Sequence, residues 1–163
     1  PNQWVWDGVH FEILHPVALD YEKALSPNAF SCVLKISNAN SSVLLVGDIE
    51  KEQEAQLVAR SKDQLKATVL LVPHHGSKTS STPDFIDAVS PQLAIVQAGY
   101  KNRYGHPAPV VVERYEQRSI PIVSSPQCGA IYWQSESSAQ IQCHRLQARR
   151  YWHHFIEASP LNN

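Results

Sequence analysis

Aspartate and histidine side chains follow two apolar segments of the sequence. Asp48 comes directly after "VLLVG", and the pair His74 and His75 comes directly after "VLLVP". A carboxylate and imidazoles together suit Zn, Mn or Fe, and a carboxylate can bridge two ions. Each feature also has a simpler interpretation. Asp48 could begin the following helix as its N-cap, and the histidine pair could be part of a proline turn with one packed ring.

The loop at 76–81 has the composition of an anion-binding segment. It contains one glycine, three serines, one threonine and one lysine. Backbone N–H groups, hydroxyls and an ammonium group are suited to phosphate oxygens. The pattern is not a Walker loop, because G-x-x-x-x-G-K-[ST] is absent from the sequence. A solvated loop leading into the next helix is the alternative, with Thr82 as N-cap and Pro83 in the first turn.

A second polar segment, "GYKNRYGHP" at 99–107, follows another apolar run. Lys101, Arg103 and His106 suit a backbone phosphate, and the two tyrosines suit nearby bases or sugars. For the tyrosines, an ordinary loop before a proline-capped helix is the better interpretation. A serine hydrolase has little support, since the sequence contains no G-x-S-x-G elbow.

Predicted strands and helices alternate through the part of the sequence that contains these residues. Strands are predicted at 9–14, 31–37, 42–48, 67–72, 92–99 and 120–125, and helices at 49–62, 83–89 and in the segment after 106. A hairpin follows, from "GAIYWQ" to "AQIQCHR". This order predicts a mixed α/β domain with a layered sheet. In such sheets, sites lie beyond the carboxyl ends of the strands, where the polar residues above are placed.

Composition narrows the class of protein but does not name a partner. The chain has 163 residues and a formal net charge of −1, so nothing global indicates nucleic acid or an anionic membrane. It contains no methionine and begins with proline, and we therefore expect it to be a piece of a longer protein. Cys128 and Cys143 flank the predicted hairpin; a disulfide and two unpaired thiols are both consistent with this spacing.

Four motifs together carry a resemblance to a known family. The strings "GDIE", "LLVPHHGSKTSS", "GYKNRYGHP" and "GAIYW" resemble the metallo-β-lactamase-like domain at the C-terminal end of ComEC-type proteins. These are membrane channel proteins that internalise DNA during natural transformation. The similarity extends from "WDGVHFEILHP" to the hairpin near 133.

The resemblance implies an αβ/βα sandwich that holds one or two divalent ions, Zn or Mn. It implies that Asp48 and His74 are metal ligands, with His75 as a close alternative. Asn28 stands where the superfamily often has another histidine. The main metal motif, H-x-H-x-D-H, is missing and is expected upstream. We therefore expect 1–144 to be the second half of the domain, with an apolar sheet face that another segment must cover, and 145–163 to be a basic, aromatic tail or helix.

By this resemblance, the chain is part of a metal-dependent phosphodiesterase or nuclease in an uptake channel of the bacterial inner membrane. The side of the membrane stays open, and the chain alone is expected to be inactive. Expected partners are single-stranded DNA, or DNA being converted to it, the rest of the channel and the upstream half-domain. The expected catalytic residues are His75 and His106, and the expected phosphate-binding residues are Ser77, Lys78, Thr79 and Arg103. The alternatives are a non-catalytic single-stranded-DNA guide and a hydrolase of a small phosphodiester.

Overall fold

The computed structural model describes residues 2–137, 140–148 and 150–151. The main sheet has seven strands, in the same order in space as in sequence. They are β1 (Gln3–Trp6), β2 (Val9–His15), β3 (Val33–Ser37), β4 (Ser42–Leu45), β5 (Val69–Leu71), β6 (Leu93–Val96) and β7 (Ile122–Ser124). Strands β1 to β4 are antiparallel, and β4 to β7 are parallel. The predicted α/β class is confirmed.

Three helices connect the parallel strands. They are α1 (Lys51–Leu65), α2 (Pro83–Val89) and α3 (Pro109–Glu116). Each of these helices is part of a right-handed crossover from one strand to the next. Because the strands β4 to β7 follow one another along the sheet, the helices of these crossovers lie on the same face. The buried core is consistent with this, because apolar side chains of all three helices pack with Leu44, Leu70 and Val96.

The opposite face of the sheet is a continuous apolar surface. Residues paired across neighbouring strands have their side chains on the same face of the sheet. The face away from the helices carries aliphatic side chains from β3 to β7. The pairs that show it are Leu34 with Leu45, Ile36 with Val43, Val43 with Val69, Leu71 with Ile95, and Ile95 with Val123. Most of these side chains are only half-buried, in contrast to the helix-covered face. This agrees with the expectation that half of a sandwich exposes an apolar sheet face.

Strand β1 was not predicted from the sequence, although a signal for it was present. All four of its residues are exposed, so it lacks the buried positions on which strand patterns depend. Its turn to β2 is Asp7-Gly8, with φ of 49° and 76°. Asp-Gly with two positive φ angles is typical of a tight hairpin turn. That dipeptide could have revealed the strand.

The predicted hairpin is confirmed as β8 (Ile131–Trp133) and β9 (Ile141–Cys143). It is attached to the turn between β3 and β4, where Asn38 Nδ2 donates to Ser135 Oγ at 2.9 Å. Short helices α4 (Ser125–Cys128) and α5 (His144–Gln147) flank it. The tail predicted from 145 begins within α5, and residues 149 and 152–163 lie outside the described part of the chain.

The structure joins Cys128 of α4 to Cys143 of β9 as a disulfide, with 15 residues of sequence separation. A loop of this size contributes roughly 3 kcal/mol through the restricted unfolded chain. We expect the Cys128→Ser, Cys143→Ser double variant to lose about that much free energy of unfolding in urea. Cys32 is exposed and unpaired, so Cys32→Ser is the control and should change little. An unchanged double variant would mean that the bond does not stabilise the fold.

Within the described ranges, no helix combines the length and the apolar character that crossing a membrane requires.

Candidate metal and phosphate site

Asp48 and His75 lie close together beyond the carboxyl ends of β4 and β5. The chain turns after each strand, and His74 N–H donates to Gly47 O at 3.0 Å, which joins the two turns. This brings Asp48 Oδ1 to 3.6 Å from His75 Nε2. Both side chains are partly exposed, so the pair is open to solvent and to a ligand.

Ser31 and Gly47 fix the backbone at Asp48. Asp48 N–H donates to Ser31 Oγ at 3.0 Å. Gly47 has φ of 55°, and a Cβ atom there would lie 2.9 Å from Ser31 Cβ. Only glycine therefore allows this close approach, which explains the glycine of the "GD" motif.

His75 is oriented like a metal-binding histidine. Its Nδ1 lies 2.6 Å from Gln97 O, and since a carbonyl can only accept, Nδ1 carries the proton. In the neutral ring, Nε2 then has a free lone pair and faces Asp48. A ring N–H donated to a backbone carbonyl is the usual support of a ligating histidine. The structure thus brings His75, rather than His74, next to Asp48.

His74 faces a different carboxylate. Its Nδ1 is buried and lies 3.2 Å from Glu50 Oε1, without the alignment of a hydrogen bond. Sequence reasoning missed Glu50, because an acid just before a helix also fits the favourable N-terminal dipole position. The site therefore contains two neighbouring carboxylate–imidazole pairs, Asp48 with His75 and Glu50 with His74.

The histidine turn has an unusual backbone. His74 and His75 have φ of 48° and 57°, and Gly76 follows with φ of 81°. Non-glycine residues in this region cost of order 1 kcal/mol each, and such strain clusters at functional sites. The turn is held in part by Ser77 N–H, which donates to His74 O at 2.9 Å.

This strain gives a stability prediction for His75. Glycine tolerates positive φ, whereas alanine does not, and both replacements remove the imidazole. We expect His75→Gly to be about 1 kcal/mol more stable than His75→Ala, measured by urea unfolding. Equal stabilities of the two variants would show that position 75 is not left-handed.

His106 completes the imidazole cluster. Its ring centroid lies 6.3 Å from that of His74. Its Nδ1 is buried and has no hydrogen-bond partner among the described residues. Burial, together with the nearby His74 and His75, lowers the pKa of His106.

Close packing joins the histidine turn to the 99–107 segment. Ala108 N–H donates to Gly76 O at 2.8 Å. A Cβ atom at Gly76 would lie 2.6 Å from Pro107 Cβ. The turn and His106 are therefore held at a fixed separation, and glycine is required at the contact.

Three of the four predicted phosphate-binding residues, Ser77, Lys78 and Thr79, lie in an ordered loop after the histidine turn. Ser77 is buried, and its Oγ lies 3.1 Å from Thr79 Oγ1. Lys78 between them is exposed, so its ammonium can approach a bound anion. Arg103 is placed on the 99–107 segment, where its guanidinium lies over the Tyr104 ring.

The end of this loop is fixed by a buried carboxylate that the sequence did not reveal. Glu54 of α1 is fully buried and accepts the N–H groups of Ser81 at 2.6 Å and Thr82 at 2.8 Å. Burial raises the pKa of Glu54, while these N–H groups and Arg114 oppose the rise. Thr82 was predicted to be the N-cap of α2, and it occupies that position. Its hydroxyl makes no capping bond, however.

Arg114 of α3 holds the same segment from the other side. Its Nη1 donates to Ser80 O and Ser81 O, both at 2.9 Å. Ser80 Oγ in turn donates to Pro73 O at 2.9 Å, which closes the loop back onto the histidine turn. The loop is thus built from buried hydrogen bonds, and the interpretation as a merely solvated loop is wrong.

The described residues fit part of a metal centre. Two ligands about 2.0 Å from a tetrahedral zinc lie roughly 3.3 Å apart, close to the separation of Asp48 Oδ1 and His75 Nε2. Across 2–137, 140–148 and 150–151, however, no group of three or more His, Cys, Asp or Glu side chains could hold an ion. The Asp48–His75 pair therefore fits two positions of a metal centre and does not complete one among the described residues.

Fold and site together describe a mixed α/β protein with a carboxylate–imidazole cluster beside an ordered loop rich in hydroxyls. No family model matches the chain. It is similar to Competence protein ComA of Neisseria gonorrhoeae, 34% identical over 152 residues that cover 93% of this chain and 21% of ComA. It is also similar to ComE operon protein 3 of Bacillus subtilis, 39% identical over 125 residues that cover 77% of this chain and 16% of that protein.

The uncharacterized protein YcaI of Escherichia coli is 32% identical over 161 residues, which cover 98% of this chain and 21% of YcaI. The chain is therefore related to a competence-related protein family. It spans about a fifth of the length of the curated relatives that it matches.

Proposed function

We propose that this chain is part of a metal-dependent phosphodiesterase that acts on DNA during uptake in natural transformation. The observation that carries the proposal is the Asp48–His75 pair, in which the Nδ1 hydrogen bond to Gln97 O directs Nε2 towards the carboxylate. The competence names of the relatives supply the biological setting.

In this proposal Asp48 and His75 are metal ligands, and a divalent ion would act as a Lewis acid that stabilises charge on a phosphate. A complete centre needs at least one further ligand from outside the described residues. The chain then contributes one side of the centre and the anion-binding loop. In this proposal the chain alone is expected to be inactive.

The loop after the histidine turn binds the phosphate. Lys78 supplies a positive charge, and the hydroxyls of Ser77 and Thr79 supply hydrogen bonds. Glu54 and Arg114 fix the end of this loop from two helices, which orders the segment that follows Thr79. Preorganised donors of this kind stabilise developing charge more effectively than mobile ones.

His106 is the candidate for proton transfer to the phosphate or its leaving group, and its ring must take up a proton before it can donate one. It lies beside His74, which also lies close to Glu50. His74, which the resemblance assigned to the metal, becomes in this proposal a residue that lines the site between Glu50 and His106.

The test uses a longer protein of the relatives' kind that carries this chain. Cleavage of single- and double-stranded DNA is measured for wild type, Asp48→Ala, His75→Ala and the control Asp84→Ala, which changes an exposed acid in the first turn of α2. Both site variants should lose at least about 100-fold in rate, because even supporting residues of metal sites cost 10- to 100-fold. Full activity in Asp48→Ala would overturn the metal assignment.

A non-catalytic guide for single-stranded DNA is the second candidate. The observation in its favour is that no group of three or more potential ligand side chains occurs among the described residues. A guide would bind DNA with strong salt dependence and without metal dependence, and Asp48→Ala would leave its affinity unchanged. The same set of variants therefore separates the two functions.

A further inference from the structure

Tyr104 is an exposed aromatic side chain at the rim of the site. Its side chain is 67% exposed. Its ring stacks on that of His106, with centroids 5.8 Å apart and planes 19° apart. The His106 ring itself lies beside His74, so an aromatic surface extends outward from the imidazole cluster.

Arg103 adds a cationic plane to this surface. Its Cζ lies 4.8 Å from the centroid of the Tyr104 ring, and its Nη2 donates to Tyr104 Oη at 2.6 Å. Aromatic rings and guanidinium planes are the groups on which proteins stack unpaired nucleobases. The positive charge also suits a phosphate next to such a base.

The segment that presents these side chains is ordered. Asn102 Nδ2 donates to His106 O at 2.7 Å, and His106 N–H donates to Asn102 Oδ1 at 2.9 Å. Gly105, with φ of 67°, allows the tight turn between them. The position of Tyr104 relative to the site is therefore set by the backbone before any ligand arrives.

Exposed tyrosines are common on protein surfaces and usually need no explanation. Tyr21 is an example. It is 69% exposed, and its ring lies beside that of Phe30, with centroids 5.5 Å apart. Tyr104 differs because a cation and a site imidazole both lie against its ring, on a segment packed onto the histidine turn through Gly76 and Pro107.

We propose that Arg103 and Tyr104 form a stacking platform for an unpaired nucleobase of the strand whose phosphate lies at the site. The proposal rests on the proposed function and extends it to substrate selection. In a duplex the base faces are already stacked and hidden, whereas a single strand can offer one to the platform. The platform therefore favours single-stranded polynucleotides.

The experiment compares the affinities of this chain for an oligothymidylate and for an abasic oligonucleotide of the same length, by fluorescence anisotropy. The two share a backbone and differ only in their bases. We expect the wild type to bind the oligothymidylate about 5- to 100-fold more tightly, the range for stacking one base. Tyr104→Ala should bring this ratio close to one, while Tyr104→Phe and Tyr21→Ala should keep it.

Lys78→Ala separates phosphate binding from base stacking. It should weaken binding of both oligonucleotides by the same factor and leave their ratio unchanged. A wild type that binds both oligonucleotides equally, or a Tyr104→Ala variant that keeps the ratio, would overturn the platform alone. Absence of binding to either oligonucleotide would overturn the proposed function and the platform with it.

Discussion

Glu54→Ala is expected to lower the free energy of unfolding by about 3–5 kcal/mol, the range for removing one partner of a buried charged interaction. The carboxylate is fully buried and is the acceptor for the N–H groups of Ser81 and Thr82. Alanine would leave both donors buried without a partner and would also leave a cavity. The loop that follows the histidine turn should lose its fixed end as well.

The measurement is urea unfolding, with amide hydrogen exchange as a local readout. Glu54→Gln keeps the volume but turns one acceptor into a donor, so it should cost less than alanine. Glu52→Ala is the matched control, because that glutamate is an exposed residue of the same helix. It should change stability by no more than about 0.5 kcal/mol. If Glu54→Ala has the same free energy of unfolding as Glu52→Ala, the hydrogen bonds from Ser81 and Thr82 to Glu54 do not stabilise the fold.

Gly76→Ala is expected to destabilise the chain by about 2–4 kcal/mol and to separate the histidine turn from His106. Two causes add at this position. The backbone has φ of 81°, which disfavours any Cβ, and the new Cβ would lie 2.6 Å from Pro107 Cβ and 3.0 Å from Pro107 Cα. Since one of these neighbours is backbone, a side-chain rotation cannot relieve the clash.

Two glycines of the 99–107 segment distinguish the backbone cost at Gly76 from its steric clash. Gly105 has φ of 67° with open space around it. Gly105→Ala should therefore lose only the stability that a Cβ costs at positive φ, about 1 kcal/mol. Gly99 has neither a positive φ nor a close neighbour, its nearest contact being Asn102 Cβ at 3.7 Å, and Gly99→Ala should be nearly neutral. Urea unfolding of the three variants should rank them in this order. A neutral Gly76→Ala would mean that the turn and Pro107 are not packed together.

The fold was largely predictable because its central strands are short apolar runs between helix signals. Strand β5 (Val69–Leu71) and strand β6 (Leu93–Val96) lie within predicted segments, and α2 (Pro83–Val89) begins and ends as predicted. Such continuous runs arise because both faces of these strands carry apolar side chains, one packed against the helices and the other on the apolar sheet surface. The edge strand β1 escaped because exposed residues carry no burial pattern, and only Asp7-Gly8 marked it.

The site was less predictable, because its geometry depends on backbone angles that the sequence does not display. Placing His74 and His75 in succession at positive φ directs the two rings to different carboxylates, and no periodicity indicates which ring meets Asp48. Glu50 and Glu54 read as ordinary helix residues, since their partners are distant in sequence. The sequence indicated that a candidate site lies at the strand ends. It did not indicate which side chains from neighbouring strand ends lie next to each other.

Metal dependence is tested by DNA cleavage with a longer protein that carries this chain, measured after metal stripping and again after Zn or Mn is restored. We expect stripping to abolish cleavage, restored metal to recover it, and Asp48→Ala and His75→Ala to prevent the recovery. Cleavage that persists unchanged in fully stripped protein, or a folded, metal-loaded protein that leaves DNA intact, would show that the chain is not part of a metal-dependent nuclease.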